Sequence, residues 1–66
     1  MIIIKQFNSE GFEKYYVFND IDKAVLFVSK RCKINKYEIL TDKVYTEIYK
    51  DKKYNYVIKL AESRDF

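Results

Sequence analysis

Residues 19–33 read NDIDKAVLFVSKRCK and have the features of one amphipathic helix. Asn19 or Asp20 is a natural N-cap, because a short polar side chain can accept a hydrogen bond from a free N–H of the first turn. At about 100° per residue the apolar side chains fall on one stripe, with Phe27 at its margin. The stripe consists of Ile21, Ala24, Val25, Val28 and Cys32. Basic residues at 30, 31 and 33 suit the negative end of the helix dipole, and Asn35 is suited to ending the helix.

Strands are predicted on both sides of this helix. Before it, residues 1–7 are rich in isoleucine, residues 8–11 supply a turn in which Gly11 can adopt positive φ, and residues 12–18 alternate as a strand. After it, residues 44–50 and 54–61 form two further strands joined at a lysine cluster. Residues 37–41 are compatible with a fifth strand, with a helix extension or with a packed loop.

This order of elements predicts the α+β class. One helix packed on an antiparallel sheet of four to five strands, in the order ββαββ(β), gives a two-layer architecture. We expect a single domain over residues 1–61 and a frayed tail over residues 62–66. A chain of 66 residues forms a small core, and its lone Cys32 provides no intrachain disulfide. A homodimer is therefore expected to add stability.

The register of the second hairpin decides which tyrosines are exposed. A turn with an odd number of residues pairs Ile48 with Tyr54, whereas an even turn pairs Tyr49 with Tyr54. We favour the odd turn, because it separates apolar from polar side chains better and because the Asn-Gly or Asp-Gly of two-residue turns is absent. The buried face then consists of Val44, Ile48, Tyr54, Tyr56, Ile58 and Leu60. The exposed face consists of Tyr45, Glu47, Tyr49, Asn55, Val57 and Lys59.

An exposed sheet face rich in tyrosine favours protein binding, because tyrosine buries much area at small entropic cost and is enriched at interfaces. An ordinary solvated face is the alternative. Leu26 falls on the polar side of the helix, as a solitary exposed leucine or as a contact point for a partner. The lysines of the hairpin would steer the approach to an acidic surface. The predicted partner-binding residues are Tyr15, Leu26, Tyr45, Tyr49, Lys50, Lys52 and Lys53.

Two basic clusters support an alternative function, nucleic-acid binding, in a chain of net charge +3. Lysines that hold phosphates beside aromatic rings that stack on bases are typical of single-strand binders. Each cluster also has a structural explanation, since the first completes a helix C-terminus and the second keeps a turn soluble. The candidate residues are Lys30, Arg31, Lys33, Lys36, Lys50, Lys52 and Lys53.

The chain lacks the side chains of most enzymes and metal sites. Without histidine and with one cysteine, neither a Ser-His or Cys-His pair nor a common zinc site can form. Asp20 and Asp22 resemble the start of a calcium loop, but the glycine and closing glutamate of such a loop are missing. Gly11 is the only glycine, so no phosphate-binding glycine loop exists. We therefore expect a non-enzymatic protein without cofactor or metal.

Composition and length suggest an origin and a location. Isoleucine, lysine, asparagine, tyrosine and phenylalanine, which AT-rich codons encode, make up 35 of the 66 residues. We predict an accessory protein of a phage or other mobile element that binds and modulates or inhibits a host protein. No apolar run approaches the roughly 18 residues of a membrane span, and no signal peptide is evident. With a single thiol, the host cytoplasm is the expected location.

Overall fold

The computed structural model describes residues 1–39 and 43–60, which form four strands and two helices. In chain order these are β1 (Ile2–Phe7), β2 (Glu13–Phe18), α1 (Ile21–Cys32), α2 (Lys36–Ile39), β3 (Ile48–Lys50) and β4 (Asn55–Leu60). The predicted α+β class, with a helix on an antiparallel sheet, is confirmed. The element order differs in detail, because the short helix α2 follows α1. Residue 61 and the predicted tail at 62–66 lie outside the described residues.

The four strands form one antiparallel sheet in the order β2-β1-β4-β3. Since β2 and β3 are at opposite edges, the chain between them crosses the sheet, and α1 covers one face. The core lies between the sheet and the helices, where burial of apolar surface stabilises the fold. Its buried apolar side chains are Ile2, Ile4, Ala24, Val25, Val28, Ile39, Val44, Tyr49, Tyr56 and Ile58.

The first hairpin forms as predicted, with its turn built around Asn8. The Asn8 side-chain oxygen accepts hydrogen bonds from the N–H groups of Glu10 (2.9 Å) and Phe12 (3.1 Å). Gly11 has a φ of 91°, a conformation that favours glycine. In β2 the predicted alternation is confirmed. Tyr16 and Phe18 pack against the core, whereas Glu13, Tyr15 and Val17 are exposed.

Helix α1 begins and ends through specific backbone hydrogen bonds. Asp20 is the N-cap, and its carboxylate accepts from the N–H of Lys23 at 2.8 Å. The helix ends at Lys33, whose backbone is left-handed (φ 56°) and whose N–H bonds the Ser29 carbonyl. The predicted end at Asn35 is therefore two residues too late. Asn35 instead accepts from the N–H of Tyr37 at 2.9 Å and starts α2.

Residues 36–39 form a short separate helix, which differs from the fifth strand, the helix extension and the packed loop predicted for residues 37–41, because Lys33 ends α1 before α2 begins. Ile39 on α2 is fully buried, so this turn of helix adds to the core beside α1. Within residues 1–39 and 43–60 the sheet therefore has four strands and not five. Residues 40 and 41 of the ambiguous segment lie outside the described residues.

The predicted register of the second hairpin is wrong. Tyr49 pairs with Tyr56 and Lys50 with Asn55, so four residues, an even number, form the turn. Tyr49 consequently faces α1 and is 9% exposed, whereas Ile48 points to the opposite face and is 54% exposed. The exposed and buried positions of these two side chains are thus the reverse of those predicted from the sequence.

Hydrogen bonds within the turn explain this register. The Asp51 carboxylate accepts from the N–H groups of Lys53 (2.8 Å) and Tyr54 (2.7 Å), and the Asp51 N–H bonds the Tyr54 carbonyl at 3.0 Å. An aspartate that bonds the backbone two and three residues ahead fixes a tight turn without Asn-Gly or Asp-Gly. The turn geometry sets which residues pair, and burial follows from it.

The strand predicted over residues 44–50 is shorter than expected. Residues 43–46 form a turn, in which the N–H groups of Thr46 (2.9 Å) and Glu47 (3.1 Å) bond the Lys43 carbonyl. Val44 is buried as predicted. Tyr45 lies in this turn and not on a sheet face, which corrects its predicted position.

Candidate nucleic-acid interface

Three segments meet at one end of the sheet. Phe7 pairs with both Glu13 and Asn55, and Asn55 pairs with Lys50, so both hairpin turns lie at the same end. The last residues of α1 reach the second turn, and a cleft of about 580 Å³ lies between them. We call it the basic cleft. It is lined by Arg31, Cys32, Lys33, Lys50, Asp51, Lys52, Lys53 and Tyr54.

The positive charge of the chain is concentrated at this cleft. Among the described residues, five cationic side chains and one carboxylate give the lining a net charge of +4, whereas the whole chain carries +3. The rest of the chain therefore carries −1. No ion pair with another described residue is found for the ammonium groups of the four lining lysines. The basic cleft can therefore attract an anion over distances of about a Debye length.

Asp51 is the one acidic group among the described residues of the lining, and its carboxylate is engaged within the turn. It accepts a hydrogen bond from the Tyr56 hydroxyl in addition to the two backbone N–H groups. Burial raises its pKa, but these hydrogen bonds and the Arg31 charge outweigh burial and hold the pKa below its usual value. The carboxylate is thus ionised at neutral pH, and its oxygens organise the turn.

A buried polar network ties this turn to the sheet. The Tyr16 hydroxyl donates to the Gln6 side-chain oxygen at 3.1 Å, and the Gln6 amide nitrogen donates to the Tyr56 hydroxyl at 3.0 Å. Tyr56 in turn donates to Asp51. Burial, followed by the hydrogen bond to Asp51, raises the pKa of Tyr56. The chain of contacts from β2 through β1 and β4 to the turn fixes one wall of the basic cleft.

Arg31 lines the basic cleft from the last turn of α1 and is held over aromatic rings. Its guanidinium lies 4.5 Å from the centroid of the Phe27 ring and 5.7 Å from that of Tyr16. Phe27 itself packs on Tyr16, with ring centroids 4.6 Å apart. Cation–π contacts of this kind favour a fixed position of the guanidinium. Arg31 therefore presents its charge to the cleft from an ordered side chain.

Lys33 reaches the basic cleft from a left-handed backbone conformation. Among the described residues it is the only non-glycine residue with positive φ. This conformation costs an ordinary L-residue about 1–2 kcal/mol, and glycine is the usual occupant at the end of a helix. A lysine at this position places a positive charge in the cleft at the expense of stability.

Cys32 also lines the basic cleft, but its thiol is not activated. Burial, together with the nearby Asp51 charge, raises its pKa to about 11 although Arg31 acts in the opposite direction. The thiol is protonated at neutral pH, and it is the thiolate that acts as nucleophile and metal ligand.

The structure brings together five of the seven residues predicted for nucleic-acid binding. Arg31 and Lys33 from the helix end and Lys50, Lys52 and Lys53 from the hairpin all line the basic cleft. The other two are not in its lining. Lys30 is exposed on α1, and Lys36 borders a second groove, with its ammonium 5.3 Å from the Tyr37 ring centroid.

The residues predicted for partner binding are dispersed. Tyr15 is on the sheet face away from α1 and is 49% exposed, and Leu26 borders the second groove, of about 360 Å³. Tyr45 is in a turn, and Tyr49 is buried beneath α1, so its predicted place on an exposed face is wrong. Lys50, Lys52 and Lys53 belong to the basic cleft instead.

Two residues at these sites are absent from the predicted sets of site residues. Tyr54 packs against the core, as predicted, and also lines the basic cleft, where its ring contacts Phe12. Tyr37, which is 72% exposed beside Leu26, was assigned no role. Asp51 is the sequence feature that could indicate the position of Tyr54. An aspartate just before Lys-Lys predicts a turn in which its side chain bonds the following backbone N–H groups.

The described residues contain no helix with the length and apolar character needed to cross a membrane. They also contain no cluster of three or more histidine, cysteine or acidic side chains arranged to hold a metal ion. Comparison with protein-family models, with curated proteins and with solved structures finds no match to this chain.

Proposed function

We propose that the protein binds nucleic acid, with the phosphates held in the basic cleft. The observation that carries this proposal is the net charge of +4 on one concave surface of a chain whose total is +3. A basic surface of this kind attracts any polyanion, and nucleic acid presents closely and regularly spaced phosphates.

The construction of the cleft supports the same conclusion. Its cations come from two segments far apart in sequence, and Asp51 with Gln6 and Tyr56 fixes the wall that bears the lysines. Phosphate contacts by lysine and arginine position a ligand without reading its sequence. The scarcity of arginine, with two residues against eleven lysines, fits binding that is independent of base sequence.

Salt-dependent binding of labelled oligonucleotides tests this proposal. With a single strand, each phosphate contact contributes about 0.7 to the slope of log K against log salt, so five lining cations give a slope of at most about −3.5. We expect the double variant Lys52→Gln, Lys53→Gln to bind more weakly, with the slope reduced by about 1.4.

A charge-matched variant is the control. The double variant Lys23→Gln, Lys59→Gln also removes two positive charges, but from outside the lining. Lys23 is on α1, and Lys59 is on the sheet face away from α1. It should bind nearly as tightly as the wild-type protein. Equal losses in both double variants would show that net charge and not the basic cleft determines binding, and the proposal would be abandoned.

A second proposal concerns the sheet face away from α1, which we call the outer face. In register, Lys5 lies between Tyr15 and Val57, and Val57 lies beside Ile48. Tyr15, Val17 and Ile48 are about half exposed or more. We propose that a second copy of the chain covers this face, because a domain of this size gains stability from association.

Modulation of a host protein by a phage or mobile-element product stays a prediction from composition and length.

Light scattering after size exclusion tests this second proposal. The wild-type protein should elute at twice the monomer mass, and the double variant Val17→Asp, Ile48→Asp at the monomer mass. A monomeric wild-type protein, or a dimer that survives both substitutions, contradicts it.

A further inference from the structure

We propose that the ligand is a single strand, with one base stacked on the aromatic pair formed by Phe12 and Tyr54. This inference rests on the proposed function and adds to it the strandedness of the ligand and a second contact. The pair lies where the two hairpin turns meet, at the edge of the basic cleft.

The geometry of the pair suits stacking. The ring centroids of Phe12 and Tyr54 are 4.9 Å apart, and the rings are tilted by 41°, so the pair does not form a closed sandwich. Phe12 is 38% exposed, and Tyr54 is partly buried and lines the cleft. Part of the ring surface is thus open to solvent, and Tyr54 lines the same cleft as the lysines that would hold the adjoining phosphates.

The backbones of Phe12 and Tyr54 are both held by hydrogen bonds to side chains of the turns. The N–H of Phe12 bonds the Asn8 side chain at 3.1 Å, and the N–H of Tyr54 bonds Asp51 at 2.7 Å. These bonds and the contact between the two rings restrict the pair before binding, so less entropy is lost when a base stacks on it. The two turns therefore preorganise the aromatic pair beside the charges.

A single strand fits this arrangement better than a duplex. Proteins that bind single strands combine a positive groove for the backbone with aromatic rings for successive bases. In a duplex the faces of the bases are covered by their neighbours, so exposing one for stacking requires unstacking and unpairing it at a cost. The π-face is common to all bases, so we expect stacking with DNA and with RNA.

The variant Phe12→Trp tests the inference directly. The chain contains no tryptophan, so the new side chain is the only indole fluorophore. We expect its fluorescence to be quenched by an oligothymidine and by an oligouridine of about 12 nucleotides, a length within the usual range for single-strand sites. An abasic oligomer of the same length should bind through its phosphates without this quenching. Comparing the two strands at equal salt identifies whether DNA or RNA is held more tightly.

Affinity measurements provide the second readout. Phe12→Leu should weaken single-strand binding about tenfold and leave the salt slope unchanged, because it removes stacking and no phosphate contact. Phe7→Leu is the matched control, since Phe7 is at the same end of the sheet on the outer face. It should have no such effect. A hairpin duplex should bind the wild-type protein and Phe12→Leu equally.

The possible failures are distinguishable. If Phe12→Trp is not quenched and Phe12→Leu binds like the wild-type protein, while the Lys52 and Lys53 double variant still binds weakly, stacking is wrong and the phosphate cleft stands. If the wild-type protein binds neither strand nor duplex, the stacking inference and the proposed function are both overturned.

Discussion

Replacing Lys33 by glycine should make the protein more stable and a weaker binder at the same time. Lys33 has a left-handed backbone at the end of α1 and lines the basic cleft. Glycine relieves the conformational cost of about 1–2 kcal/mol and loses part of this gain to its larger freedom in the unfolded chain. We expect a net stabilisation of about 0.5–1 kcal/mol, which raises Tm by about 2–8 °C in a domain of this size.

The same substitution removes one of the five lining cations. Oligonucleotide affinity should fall, and the slope of log K against log salt should decrease by about 0.7. Urea unfolding measures the gain in stability, and fluorescence anisotropy at several salt concentrations measures the loss of oligonucleotide affinity. Lys33→Asn is a useful companion, because asparagine tolerates the left-handed region and also removes the charge.

Lys23→Gln is the control, since Lys23 is on the first turn of α1 and outside the cleft lining. It should leave oligonucleotide binding unchanged. A Lys33→Gly protein that is less stable than the wild-type protein would refute the left-handed conformation. Unchanged binding would refute the role of Lys33 in the basic cleft.

Two further predictions concern the second hairpin. Tyr49→Ser should destabilise the protein by about 3 kcal/mol because it removes a buried ring, whereas Tyr37→Ser, at a ring that is 72% exposed and outside the outer face, should change stability by less than about 0.5 kcal/mol; equal effects in urea unfolding would contradict the register. Asp51 has a lowered pKa, so the stability it contributes is present above its ordinary value of 3.8 and is lost as pH falls through the lower folded value. The difference in unfolding free energy between the wild-type protein and Asp51→Asn should thus be larger at neutral pH than at low pH, and a difference that does not change with pH would contradict this role of Asp51.

Much of the fold was predictable because local chemistry and hydrophobic period agree there. Asp20 caps α1, Ala24, Val25 and Val28 are buried, and the turn after β1 contains Gly11 with positive φ. In such segments the preferred local structure and the burial pattern point to the same answer.

The second hairpin was mispredicted because two criteria conflict there. Sorting side chains by hydrophobicity favours burying Ile48, whereas the Asp51 hydrogen bonds impose a four-residue turn that buries Tyr49. The burial of Tyr49 is harder to infer from the sequence than that of an aliphatic residue, because tyrosine carries a polar hydroxyl. The turn chemistry determines the register in the structure.

The charged residues of the candidate site can be identified one by one from the sequence, but their arrangement cannot. The basic clusters at 30–36 and 50–53 are evident from the sequence, whereas their convergence depends on the crossing of α1 over the sheet and on the strand order. The contact between Phe12 and Tyr54 joins turns of two different hairpins. Long-range juxtapositions of this kind follow from topology and not from local pattern.

NMR titration of the ¹⁵N-labelled protein with an unlabelled oligothymidine tests directly whether the basic cleft holds nucleic acid. We expect chemical-shift changes concentrated on the amides of residues 31–33 and 50–54, with the amides of residues 3, 5, 15, 17 and 57 of the outer face unaffected. Shifts confined to the outer face, or no shifts at low salt, would contradict it.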